Sequence, residues 1–598
     1  MPTRWALAGL VGIVVLPLVV AIVAVRRPEW FPVLDHAMAE LRLRDVFTSN
    51  TPLIGLPGRI GRFPDQGSHP GPLSFYALWP TWRVLGGTPW GMQAGVLVLN
   101  SIAAGATVLV AHRRGGMRLA VGATAVLALL LGGYGIETLA EPWNPYIPLL
   151  WWVLTLMCAW SMLDGDVRLL PVAVFAASIA AQTHVPYLGL CLGVGVLAVI
   201  GFVLEWRRHP NDVNERARLL RWGAASALLV AVLWSPLVVD QAREEQGNLS
   251  MLWEHFTSPP EEEGEPVGVG EGVELQLRHL DVTSFLSAQK DSLGSLARSS
   301  GDAGGSVAPG VVTLLVWVAA VVVAWRRGWT TISRLNIVVA AGIVLGTFSM
   351  SRIFGKVWYY LMLWSWGTAA LLVLSVAWTL WRMIDRDRLA RPIGAALLAL
   401  AVLSTTLLTI RAVDVEPPAP QLSDALAEVV PPTADALRRD RTYLVTWDDS
   451  FYIGSQGMGL VSALDRLGFD VGVVDTWRVP LTHHRVIEPA DADEEIHLAV
   501  GRFVDLWRRQ PDAVELAADD PRSAAEVDEY DALRTRVIDE LRDADLDDVV
   551  ELVDDNLFGL SIDDRLPDAT RARIERMLAL GSPAAVFLVP VGTALRAP

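Results

Sequence analysis

Asp35 is the first residue along the chain placed to do chemistry. It lies ten positions beyond an apolar run that ends at Val25, in a loop that reads Leu34-Asp35-His36-Ala37 and goes on through Arg42, Arg44, Asp45, Arg59, Asp65 and Ser68-His69-Pro70-Gly71-Pro72. Near the headgroup level of a bilayer, such a carboxylate can take the proton from an acceptor hydroxyl as it attacks an anomeric carbon. Inversion in one displacement needs one base and a stabilised leaving group. A phosphate leaving group needs cations or a metal ion against its oxygens. Arg352 and Lys356 are spaced for one helical face beside Tyr359 and Tyr360. Two cations at headgroup depth suit a lipid phosphate, with nonspecific attraction to anionic lipid as the plainer alternative. Arg59 either holds the same phosphate or neutralises Asp65.

Each remaining candidate has two readings. Asp35 itself can cap a helix or pair with Arg42 or Arg44, and Asp45 and Asp65 fit structural pairing better than a direct role. His69 either orients its proline-rich loop or touches substrate. Glu137 and Glu141, at a helix boundary, can contact acceptor hydroxyls or a divalent ion, or merely cap. Trp143 can stack on a sugar ring, although tryptophan collects at membrane interfaces in any case. His184, between two apolar runs, reads first as a packing histidine and second as a catalytic one. Gly454, Gly457 and Gly459 are too loosely spaced for a dinucleotide fingerprint and read as a strand-to-helix turn.

These residues sit between elements that composition defines. Of the 598 residues 52% are hydrophobic, and mean hydropathy is +0.38. The apolar residues fall in blocks of about 17–22, the length of a helix crossing a bilayer. About eleven spans are expected: 5–25, 91–112, 119–135, 146–163, 169–182, 185–204, 222–239, 311–325, 335–350, 357–381 and 393–410. The first is too long for a typical cleaved signal and lacks a clear cleavage site, so it reads as a retained span. Ionisable residues are nearly absent at mid-span, which argues against an ion or proton pathway.

Arginines mark every second connection: Arg113, Arg114 and Arg118; Arg207 to Arg221; Arg326, Arg327 and Arg334; Arg382 to Arg391. By the positive-inside rule these connections and the N-terminus are cytoplasmic. Arg26 and Arg27 dissent and are outvoted. The long loops 26–90 and 240–310, and everything from 413 to 598, are then extracytoplasmic. Segments 259–266 and 299–310 read as mobile. The domains are a membrane module, 1–412, and a soluble α/β domain, 413–598, with strands at 443–447, 471–474 and 585–589 and a helix at 460–467. Cys158 and Cys191 lie in apolar blocks and read as small buried side chains. The net charge of −16, concentrated in the soluble part, argues against nucleic acid as a partner.

The stretches LDHAMAELRLRDVFTSNTPLIG and SHPGPLSFY resemble the first loop of actinobacterial membrane proteins of the GT-C glycosyltransferase superfamily. EPWNPYIPLL, QTHVPYLGL, WSPLVVDQAREEQGNLSMLWEHF and SRIFGKVWYYL extend the resemblance over roughly residues 1–410. It implies a multi-span helical core, an acidic base in the first outer loop, carried over to Asp35, and a sugar donor on a polyprenyl phosphate. The partners implied are that lipid-linked sugar, membrane lipid and an extracytoplasmic glycan or protein acceptor. The paired-acid pattern of the superfamily is altered here, since His36 follows Asp35. Metal dependence stays open, and a divalent cation, Mg or Mn, is compatible. A non-catalytic envelope-assembly protein is the alternative reading, and a lipid flippase a weaker one, for want of a duplicated half.

Overall fold

The computed structural model describes residues 2–27, 29–258, 265–287, 305–384, 387–451 and 453–594. Of the segments expected to be mobile, 259–264 and 299–304 lie outside these; from Val307 the second is already helix. Among the described residues, eight helices are long and apolar enough to cross a membrane: Arg4–Ala24, Pro89–Tyr134, Pro186–Arg208, Val213–Arg243, Val307–Arg326, Thr330–Ser351, Trp364–Ile384 and Leu389–Ala412. Leu149–Leu163 and Val167–Thr183 are shorter apolar helices. The chain is a multi-pass membrane protein. At 46 residues, Pro89–Tyr134 would run about 69 Å if straight, twice a bilayer core. It breaks at Gly115 and Gly116, where φ reaches +65°, a conformation glycine adopts without a Cβ clash.

The arginine-bearing connections meet at one end of the bundle. Arg114 reaches Asp164 at 3.1 Å and Asp166 at 2.8 Å, and Arg113 and Arg334 join the same two carboxylates. Arg382 lies over the Trp329 ring at 4.7 Å. The first loop, Glu141–Trp143, His184 and the C-terminal domain gather at the other end.

That domain carries a five-stranded sheet of order β2-β1-β3-β5-β4, comprising β1 Thr442–Asp449, β2 Asp470–Gly472, β3 Glu494–Val500, β4 Val514–Asp519 and β5 Ala584–Val589. β1 pairs in parallel with β2 and β3, whereas β5 runs antiparallel to β3 and β4. The strands β1, β2 and β5 and the helix Ser455–Arg466 fall where the apolar pattern predicts them. β3 and β4 do not, because their acidic residues disguise them. Glu495 is wholly buried, accepting from Thr446 Oγ1 and from the Gly592 amide, both at 2.7 Å.

The first loop folds into a helix, Leu34–Asp45, pressed between the bundle and this domain. Its buried charges all find partners across the interface. Glu40, 0% exposed, accepts from Ser462 Oγ at 2.8 Å and Arg466 at 2.9 Å, and pairs with Arg44. Arg42 donates to the carbonyls of Val479 and Pro480 at 2.9 and 2.8 Å. Asp45 receives both terminal nitrogens of Arg485, at 2.8 and 2.9 Å. Burial would raise the Asp45 pKa, but the bonds from His484 and Arg485 outweigh it and hold the carboxyl below its usual value. Gly459 lets the two helices close: a Cβ there would lie 2.9 Å from the Pro32 carbonyl.

Removing one partner of a buried ion pair strands the other in low dielectric. Glu40→Ala is expected to weaken domain docking by about 3–5 kcal/mol. Faster proteolysis in the connector after Ala412 and a lower denaturation midpoint are the readouts. Unchanged values would mean that apolar packing alone holds the domain.

Candidate active site

Asp35 lies in the first turn of the first-loop helix, after Leu34, whose φ of +47° is left-handed. An ordinary side chain takes that conformation at a cost of about 1–2 kcal/mol, a cost often met at functional positions. Trp143 Nε1 donates to Asp35 Oδ2 at 2.7 Å. The Trp143 ring is in turn held edge-on by Tyr146 at 4.9 Å and by Tyr360 at 4.7 Å. Below them the Tyr146 and Tyr359 hydroxyls meet at 2.7 Å. Tyr360 stacks on Trp358 at 6.0 Å, and the Arg59 guanidinium covers the Trp358 ring at 5.1 Å. The Tyr360 hydroxyl is pushed up to about 12, chiefly by burial, with Arg59 lowering and Asp35 raising it. Both charges therefore act on the same phenol. One carboxylate and one exposed cation face an aromatic wall.

The other candidates divide between this wall and the scaffold. Glu141 lies 3.2 Å from His36 Nε2, directly behind Asp35. Glu137 is exposed in the short helix Ile136–Ala140. Tyr359 is fully buried and forms floor. Asp35 pairs with neither Arg42 nor Arg44, both of which turn to the C-terminal domain. Asp65 pairs with Arg478, not with Arg59. Arg352 and Lys356 do not share a helical face, because the helix stops at Ser351 and Gly355 turns the chain at φ +62°. Arg352 points to the Phe256 carbonyl at 3.4 Å, and Lys356 donates to the Ile562 carbonyl at 2.6 Å and pairs with Asp564. Arg59 is thus the exposed cation of the wall, with Lys356 Nζ over the same Trp358 ring at 5.6 Å, while the buried Arg42 feels the Asp35 charge from within the helix. No group of three His, Cys, Asp or Glu among the described residues is arranged to hold a metal ion.

No known protein family matches the sequence, and no curated protein does. Among solved structures, ArnT from Cupriavidus metallidurans bound to undecaprenyl phosphate matches with a TM-score of 0.50 and 13% identity, over 86% of this chain and 97% of that one. The fold is shared with ArnT. The multi-span helical architecture with a C-terminal sheet-bearing domain expected from the sequence is therefore the one observed. The archaeal oligosaccharyltransferase AglB from Archaeoglobus fulgidus matches with a TM-score of 0.36 and 11% identity, over 77% of this chain and 64% of that one.

Three residues of the wall, Tyr146, Trp358 and Tyr360, and His36 behind Asp35 escaped the sequence reading as site residues. The signal available was Trp143 and Tyr146 three apart and the doublet Tyr359-Tyr360, which the ordinary aromatic belt of a membrane protein conceals.

His69 lies behind the wall. Its Nδ1 accepts the Val185 amide at 3.3 Å, and its ring meets His184 edge-on at 5.1 Å. Asn248 Nδ2 donates to the Ser68 and His69 carbonyls at 3.0 and 3.3 Å. Burial holds His69 down at about 4 and His184 well below its usual value, His69 lowering the latter further. In the unfolded chain both take up protons near pH 6.5, so folding excludes protons between there and about 4. Stability is full above pH 6.5 and falls as acid is added. At pH 5 the loss from His69 is expected to reach on the order of 1–2 kcal/mol. Melting temperature against pH should flatten in His69→Gln; an unchanged slope would place the proton uptake elsewhere.

Proposed function

We propose that this chain is an inverting membrane glycosyltransferase, moving a hexosyl or pentosyl group from a polyprenyl-phosphate carrier to an extracytoplasmic glycan or protein acceptor. The observation that carries the reading is the Asp35 carboxylate, oriented by the Trp143 indole at 2.7 Å, facing Arg59 across Tyr360 in a fold shared with a protein bound to undecaprenyl phosphate. In this reading Asp35 takes the proton of the acceptor hydroxyl. The acceptor oxygen bonds to the anomeric carbon as the bond from that carbon to the phosphate oxygen breaks. The electron pair leaves with the phosphate, which Arg59 meets. Trp143 and Tyr360 position these groups, and Glu141 with His36 backs the loop.

The membrane topology follows from the same argument. We take the broken helix as two crossings and add the two short apolar helices to the other seven, giving eleven. The arginine-rich end faces the cytoplasm, so the module of residues 1–412 presents Asp35 outside, under the domain of residues 413–598.

The test is release of polyprenyl phosphate by purified protein supplied with polyprenyl-phosphate-linked mannose or arabinofuranose. Loss of a general base lowers turnover by about 10²–10⁴-fold, so Asp35→Asn should fall in that range. Trp143→Phe keeps the ring and loses the donor, and is expected to cost about tenfold. Arg59→Ala should raise the donor KM. Full turnover in Asp35→Asn would remove the carboxylate from the mechanism.

A further inference from the structure

The C-terminal domain has an open cleft of about 320 Å³ that the reaction above does not use. It lies at the carboxyl ends of β1 and β3, lined by Trp447, Asp448, Asp449, Trp477, Phe503 and Asp555. β1 continues to β2 on one side and β3 to β4 on the other, so the chain leaves these two neighbouring parallel strands in opposite directions there, the usual location of a ligand crevice in a parallel sheet. Trp447 and Trp477 meet at 4.9 Å with their planes 39° apart, both partly exposed. Trp447 rests on the glycine turn after β1. A Cβ on Gly457 would come 2.2 Å from its ring, and one on Gly454 2.4 Å, so the indole is seated and the tryptophan pair forms a rigid apolar wall.

The carboxylates opposite are equally fixed. Asp448 Oδ2 accepts from Trp507 Nε1 at 2.9 Å and lies 3.3 Å from His497 Nε2, while Oδ1 has no hydrogen bond from the described residues. Burial would raise the Asp448 pKa, but His497 and Trp507 outweigh it and keep the carboxyl below its usual value. Asp449 is anchored by the Phe451 and Gly454 amides, both at 2.8 Å. An apolar wall facing fixed acceptors matches a neutral saccharide, whose ring C–H face is apolar and whose hydroxyls donate. Anionic carriers are disfavoured by the three aspartates, of which Asp555 is paired with Arg502.

The cleft also adjoins the first loop. Phe63 lies 5.3 Å from Trp477, and Asp65 pairs with Arg478. The four residue-to-residue steps from Arg59 to Phe63 span at most about 14 Å. We propose that this cleft is a saccharide subsite that holds the acceptor glycan by stacking on Trp447 and Trp477 and by hydroxyl donation to Asp448 and Asp449. The acceptor role rests on the transferase reading, whereas saccharide binding does not.

The test uses the full chain in detergent, with saturation-transfer NMR and calorimetry against α-mannotriose and α-arabinofuranotriose. Binding of at least one trisaccharide is expected. Trp477→Ala and Asp448→Asn should each weaken it about tenfold, and Trp477→Phe should retain it within about threefold. Asp448→Asn is isosteric and guards against a folding artefact at Trp477. Absence of binding, or equal binding by all variants, overturns the subsite even if sugar transfer proceeds. Binding lost in the variants of a protein that transfers no sugar supports the subsite and sinks the transferase reading instead. Binding of tetramethylammonium but of neither trisaccharide would make the cleft a cation cage and overturn the proposal.

Discussion

The first-loop helix carries charges that water does not reach, and the rest of the outer end depends on how they are compensated. Glu40, Arg42 and Asp45 are each nine-tenths or more buried, and an uncompensated charge in such a place costs several kcal/mol. Their partners, Arg466, the Val479 and Pro480 carbonyls, and Arg485, all belong to the C-terminal domain. Asp35 stands on the same helix a few residues earlier. Its position relative to the membrane helices is thus set by a domain remote in sequence. The helix is held on one side by apolar packing against the bundle and on the other by ion pairs that tolerate little displacement.

Within that frame, charge is divided by role. Carboxylates and guanidinium groups that face each other across the domain interface are spent on docking. Asp35 is different, because its nearest donor is an indole, which orients a carboxylate without neutralising it. Arg59 is different too, because it lies over an aromatic face. A cation in that setting keeps its hydrogen-bonding edge available for an anion. The aromatic wall of Trp143, Tyr146, Trp358 and Tyr360 supplies position and low polarity while adding no competing charge.

Much of this was legible in the sequence, and the remainder was hidden for physical reasons. Long apolar blocks announce helices in a bilayer, and the Arg-Arg-Gly-Gly run at 113–116 announces where one of them turns. Asp35, Arg59, Glu141 and Trp143 were visible as polar or amphipathic residues at the ends of such blocks. The pairs that fix the first-loop helix were not. Glu40 and Ser462 are 422 positions apart, and nothing local signals that a glutamate has lost its water. β3 escaped because its buried Glu495 looks like surface in a one-dimensional pattern. The shared face assumed for Arg352 and Lys356 required a helix that in fact ends at Ser351.

Lys356 gives the arrangement a mechanical side. Five residues before Tyr360 the chain turns at Gly355, and next to it the ammonium of Lys356 is tied to the Ile562 carbonyl. The C-terminal domain therefore grips both jaws of the site: the helix bearing Asp35 and the loop bearing Tyr360. A rigid body fastened to two jaws fixes the gape between them. The domain works as a caliper, and a tilt of its sheet would open or narrow the gap in which a lipid-linked substrate and an incoming hydroxyl have to meet.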